Sequence, residues 1–142
     1  MIADAKIQYA ETMADLRGLA GGFGDLVVLA GYWLPGDGGG GLFYGDDAVL
    51  AMTDDGGTAI VTGGIIGMVG PGWRRIYSGA LNVKWFGARG NDSADDTLSI
   101  QHTIDAAIRH GGGAAAVGGV VLFPSGTYLV GSRLVANGSV VI

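Results

Sequence analysis

Three aspartates stand close together near the middle of the chain, at Asp92, Asp95 and Asp96 in the stretch NDSADDT. Clustered carboxylates can hold calcium, or can act as the acid pair that cleaves a glycosidic bond. The calcium-loop pattern is not met, because the oxygen ligands do not alternate and the central glycine and the final glutamate are missing. A helix pattern follows directly, so the sequence favours a structural role in which Asp95 or Asp96 caps that helix.

The other polar motifs carry less chemistry. The GDGGGG run at 36–41 lacks the Gly-Lys-Ser/Thr of a phosphate loop and predicts a hairpin turn. Neither His102 nor His110 has a second metal ligand at a useful spacing, and Ser125 lacks the flanking glycines of a nucleophile elbow. The sequence therefore predicts no catalytic residue, no metal site and no cofactor.

Aromatic side chains could instead stack against sugars. In a small β domain such residues more often form the core or a subunit interface. We predict an interface that includes Trp33, Tyr44, Trp73 and Tyr77.

Composition excludes several classes of protein. The chain has 29 glycines among 142 residues, yet 49% of its residues are hydrophobic, so it has enough apolar surface to bury a core. A net charge of −5, with the basic residues scattered, argues against nucleic acid as a partner. There is no cysteine and hence no disulfide. Glycines and Pro124 interrupt the longest uncharged run, Gly111 to Ser132, so we expect no membrane insertion.

The elements that position these residues fall into three zones. Residues 1–24 contain a short helix that begins at Thr12 and ends before Gly21-Gly22. Residues 25–79 predict a small β module, because apolar runs alternate with glycine turns. Its expected strands are DLVVLAGYW, LFYG, AVLAM, TAIVT and WRRIYS.

The third zone, residues 80–142, contains a single amphipathic helix at about 97–109. Its apolar stripe consists of Ile100, Ile104, Ala107 and Ile108. A helix with one apolar side is expected to cover another element of the fold.

The motifs of this third zone occur in an order that resembles a known family. The segment VKWFGARGNDSADDT, the helix, a glycine turn and VLFPSGTYLV together resemble the first segment of pectate-lyase-like right-handed parallel β-helices, over residues 81–135. The insertion AAAVGG at 114–119 departs from the usual spacing and predicts a longer loop. Residues 12–79 resemble, less specifically, the N-terminal module of bacteriophage tailspikes and tail fibres.

The resemblance implies a mainly β fold, in which a small N-terminal β module is followed by the capping helix and first rung of a β-helix. It implies a structural component of the virion, a homotrimer that contacts phage tail or baseplate proteins. Host surface polysaccharide would be bound by a region after Ile142, where we expect further rungs and any cleaving carboxylates. Two alternatives stay open: the first part of a polysaccharide lyase or hydrolase unrelated to virions, and a carbohydrate-binding β domain.

Overall fold

The computed structural model describes residues 6–47, 52–110, 119–138 and 140–142. The chain divides into two units, Met1–Tyr77 and Ser78–Ile142. The predicted AVLAM strand lies almost wholly outside the described residues, and so does most of the AAAVGG insertion.

The first unit is built on a five-stranded sheet. In chain order its elements are β1 (Ile7–Ala10), α1 (Met13–Gly18), β2 (Leu26–Leu29), β3 (Gly41–Asp46), β4 (Ala59–Val61) and β5 (Gly72–Ile76). The strands lie side by side in the order β1-β2-β3-β5-β4. β1 runs parallel to β2, and the other neighbours pair antiparallel. The hairpin predicted at 36–41 is confirmed, because that run belongs to the connection between β2 and β3.

One face of this sheet is buried beneath α1. Thr12 caps the helix with a capping box: it accepts from the Asp15 N–H, while the Asp15 carboxylate accepts from the Thr12 N–H. The helix thereby directs Met13 and Leu16 into the core. There they meet Ala10, Val27, Leu29, Phe43, Ile60 and Trp73. β1 and α1 therefore share a sheet and a core with the strands of the β module.

Arg75 is the unexpected member of the buried face. Its guanidinium lies 4.5 Å above the Phe43 ring and donates to the carbonyls of Gly39, Gly40 and Gly57. Burial lowers the pKa of Arg75 to about 9, with Asp55 opposing that change, so the side chain is still charged at neutral pH. A single side chain thus ties two glycine-rich loops to the sheet.

The second unit stacks parallel strands. Its elements are β6 (Leu81–Asn82), a 3-10 helix (Val83–Phe86), β7 (Asn91–Asp95), α2 (Thr97–His110), β8 (Gly119–Leu122), β9 (Thr127–Leu129) and β10 (Val140–Val141). β8 lies between β6 and β10, and β7 pairs with β9, all in parallel. Successive parallel strands in separate stacks are the arrangement of a parallel β-helix.

The helix α2 covers this stack as predicted. It packs against β6, β8, β10 and the 3-10 helix. Ile100, Ile104 and Ala107 are buried, whereas Leu98 on another face is 70% exposed. The fold prediction is confirmed: a small β module leads into the capping helix and first strands of a right-handed β-helix. No helix in the described part of the chain is long and apolar enough to cross a membrane.

Candidate assembly and attachment surface

The face of the first sheet that is turned away from α1 is lined with apolar side chains. One row crosses four strands in register and consists of Tyr9, Val28, Leu42 and Ile76. A second row consists of Ile7, Leu26, Tyr44 and Arg74. Side chains alternate between the two faces of a strand, so both rows lie opposite the core. We call these two rows the assembly face.

The assembly face is accessible to solvent over much of its area. Ile7 and Tyr9 are 77% and 60% exposed, and Val28, Leu42, Tyr44 and Ile76 are each 38–47% exposed. Taking 150–250 Å² for a large side chain, these exposed fractions amount to roughly 450–760 Å² of mainly apolar surface. That area is at or above the upper end of what a single soluble chain leaves uncovered, and such patches mark interaction sites.

The predicted interface aromatics do not share one surface. Tyr44 lies on the assembly face, and Trp33 is 46% exposed in the loop after β2. Tyr77 is half-buried just beyond β5. The prediction that Trp73 belongs to the interface is corrected, because its side chain is fully buried and its indole N–H donates to the Leu19 carbonyl. Side chains alternate along β5, so Trp73 faces the core and Ile76 faces solvent. Ile76 is thus an exposed residue that a prediction based on aromatic side chains did not include.

The two aspartates before α2 have different partners. Asp95 accepts from the backbone N–H and hydroxyl of Thr97, the first helical residue, at 2.9 and 2.5 Å. That hydroxyl, followed by the N–H, lowers the pKa of Asp95. Asp96 occupies the N-cap position through its carbonyl, which accepts from Ile100. Its buried carboxylate, however, accepts from the N–H groups of Arg89 and Gly90 at 2.7 and 2.9 Å, so it fixes the preceding loop and not the helix end.

Other carboxylates also accept hydrogen bonds from backbone N–H groups and do not form an acid pair. Backbone N–H donors, that of Gly22 first, lower the pKa of Asp25. Burial raises the pKa of Asp37, but four backbone N–H donors outweigh it and lower the value overall. A general acid needs a raised pKa, so both shifts go against that role. Among the described residues, no three acids or histidines are grouped so that they could hold a metal ion.

Comparison with known proteins assigns both units. Residues 9–78 match the phage tail protein small four-stranded β-sheet domain, and residues 80–142 match the rhamnogalacturonase A/epimerase, pectate lyase-like family. The two matches meet where the two units meet. The first unit is thus a phage tail β-sheet domain and the second is pectate lyase-like, which makes the chain a structural component of a phage tail.

Solved structures agree with this assignment. Tailspike protein 2 of an Escherichia coli O157:H7 bacteriophage is 32% identical, with a TM-score of 0.59 over 70% of this chain and 12% of that chain. WceF of Pantoea stewartii, a glycan biofilm modifying enzyme with a tailspike-like parallel β-helix, is 25% identical, with a TM-score of 0.66 over 86% of this chain and 16% of that chain. Tailspike gp49 of Acinetobacter baumannii bacteriophage Fri1, a capsular polysaccharide depolymerase, is 25% identical, with a TM-score of 0.63 over 84% of this chain and 20% of that chain.

A curated relative matches a shorter stretch. Alginate lyase 7 of Azotobacter vinelandii is 45% identical over 62 residues, which are 43% of this chain and 6% of the lyase. The chain therefore spans only a small part of the proteins it matches.

Proposed function

We propose that the first unit is the trimerisation and tail-attachment module of a tailspike whose β-helix degrades host surface polysaccharide. The observation that carries the proposal is the assembly face, an apolar surface that crosses four strands of one sheet. A monomer would leave these side chains in water, and burial between copies removes that cost.

The likeness to tailspikes is the ground for expecting three copies. Identical chains usually assemble around a closed symmetry axis, and three assembly faces can meet at a three-fold axis without leaving an open end. A standard interface buries about 800 Å² on each partner, so the assembly face would supply most of one side. Charged residues are only 15% of the chain, which leaves little electrostatic repulsion to oppose association.

We also propose that catalysis is absent from residues 1–142. Asp25, Asp37, Asp95 and Asp96 are engaged by backbone N–H groups. The lowered pKa values of Asp25, Asp37 and Asp95 do not suit a proton donor. Incubation of the chain with capsular and pectic polysaccharides should release neither reducing ends nor unsaturated products. Turnover that is lost on mutation of one of these acids would contradict the proposal.

The polysaccharide-degrading part of the proposal is supported by relatives. Gp49 is a capsular polysaccharide depolymerase, and WceF modifies a glycan biofilm. Both proteins have a region that matches this chain. The pectate-lyase-like family match covers the second unit of this chain.

A charge placed in the assembly face tests the trimer. Leu42→Glu puts a carboxylate on the central strand β3, whereas Leu98→Glu makes the same change at a 70% exposed position of α2. Light scattering should give a trimer for the wild type and for Leu98→Glu, and a monomer for Leu42→Glu. Circular dichroism checks that both variants are folded. A monomeric wild-type chain, or a trimeric Leu42→Glu variant, would contradict the assignment.

A further inference from the structure

A cavity of about 240 Å³ lies beside α1, on the side of the sheet away from the assembly face. Its walls are Thr12, Met13, Ala14, Arg17, Tyr32 and Trp33. The two aromatic rings are 5.0 Å apart at their centroids and tilted by 58°. Trp33 is 46% exposed, so one wall of the cavity is an aromatic surface open to solvent.

The aromatic wall is held in place by one carboxylate. Asp37 accepts from four backbone N–H groups at 2.8–3.1 Å, those of Tyr32, Trp33, Leu34 and Gly39. The Tyr32 carbonyl in turn accepts from the N–H of Met13 on α1. The loop is thus fixed at both ends of the aromatic pair, and a fixed wall loses little entropy when a ligand binds.

The polar groups of the cavity favour an uncharged ligand that forms hydrogen bonds. Arg17 makes a bidentate ion pair with Asp54 at 2.5 and 3.1 Å, which cancels its charge. Burial raises the pKa of Tyr32, so its hydroxyl stays protonated at neutral pH. In the described part of the chain no residue bonds that hydroxyl, and it is not a buried orphan but reaches solvent at the cavity. A ligand hydroxyl could therefore bond to it there.

We propose that this cavity binds a single neutral sugar ring of a glycan. A sugar presents C–H groups on one face, which pack on an aromatic ring, and hydroxyls at its edge, which suit Tyr32 and Arg17. The volume is below the range of about 300–1,000 Å³ for drug-sized ligands, so one ring fits and the rest of a glycan would extend past Trp33. The choice of a sugar rests on the proposed function, since a glycan-degrading tailspike works within a polysaccharide layer.

Tyr32 and α1 pack on the buried face of the sheet, opposite the assembly face. Sugar binding and trimer formation can therefore occur together. The site would hold the tailspike to the polysaccharide through its attachment module.

Ligand-observed saturation-transfer NMR on the 142-residue chain tests the site. The probes are the methyl glycosides of glucose, galactose, mannose, N-acetylglucosamine and N-acetylgalactosamine. At least one should receive saturation on the C–H protons of one ring face. Trp33→Ala should weaken its binding at least about fivefold, and Tyr32→Phe, which keeps the shape, by about twofold to tenfold. Phe23→Ala, which removes a 64% exposed aromatic outside both the cavity and the assembly face, should bind as the wild type does.

Three results would overturn the proposal. One is a folded wild-type chain that binds none of the glycosides. Another is binding that survives both Trp33→Ala and Tyr32→Phe unchanged. The last is N-acetyl-leucine amide binding in the cavity where the glycosides do not, which would make it a site for an apolar side chain of a protein. Light scattering on the same samples separates this outcome from failure of the trimer, because a monomer that binds sugar would contradict only the assembly role.

Discussion

Replacement of Asp96 by Ala is expected to destabilise the second unit far more than replacement of its neighbour Asp95. Asp96 is 2% exposed, and its carboxylate accepts two backbone N–H groups at 2.7 and 2.9 Å. Hydrogen bonds to a charged group contribute about 1.5–3 kcal/mol each, and their loss leaves buried donors without partners. Asp96→Ala should therefore cost about 3–5 kcal/mol in the free energy of unfolding.

Asp95 should be the milder site. Its carboxylate also caps an N–H and a hydroxyl of Thr97, but it lies at the exposed end of α2, where water can replace it. Asp105→Ala, at an exposed position within the same helix, is the matched control and should change stability by less than about 0.5 kcal/mol.

Hydrogen exchange read by mass spectrometry along a urea series measures these changes. Peptides from residues 91–110 report on the second unit alone, so unfolding of the first unit does not obscure the result. The expected order of destabilisation is Asp96 first, then Asp95, then Asp105. An Asp95→Ala variant that is destabilised as much as Asp96→Ala would refute the reasoning, because capping would then outweigh the buried loop contacts.

Four further substitutions test the first unit. Arg75→Met should cost about 3–5 kcal/mol, since three loop carbonyls lose a charged donor, as urea unfolding would show. Gly18→Ala should stabilise α1 by about 0.5–1 kcal/mol, because there is open space around Gly18. Gly45→Ala should destabilise the first unit, because its Cβ would lie 2.2 Å from the Gly22 carbonyl oxygen. Thermal unfolding curves of the two variants test both expectations. The folded-state pKa of Asp37 is below the unfolded value of about 3.9. The contribution of Asp37 to the free energy of unfolding is therefore complete above about pH 4 and is lost as the pH falls through the folded pKa. Asp37→Asn should remove this part of the acid dependence of the unfolding midpoint.

Local patterns were sufficient to predict much of the fold. The stripe of Ile100, Ile104 and Ala107 located α2, and Thr12 marked the start of α1, because capping and helical periodicity depend on residues a few positions apart. The glycine turns located β2 and β3 for the same reason. The order of motifs around α2 predicted the β-helix, and residues 12–79 resembled the N-terminal module of tailspikes and tail fibres.

Contacts between separate elements and loops decided the rest. β1 was missed because Ile7–Ala10 becomes a strand only by pairing with β2. The sequence predicted that Asp95 or Asp96 caps α2. The Asp96 carboxylate accepts from Arg89 and Gly90, seven and six residues earlier, because the intervening loop turns back on itself.

The interaction surfaces show the same division. The sequence by itself determined that large apolar side chains recur along β2, β3 and β5, because alternation along a strand is a local property. Only the tertiary structure decided which of the two alternating sets faces solvent, because α1 packs on the set that contains Trp73 and leaves the set that contains Tyr44 uncovered. The physical reason is that a strand has two equivalent faces until another element buries one of them.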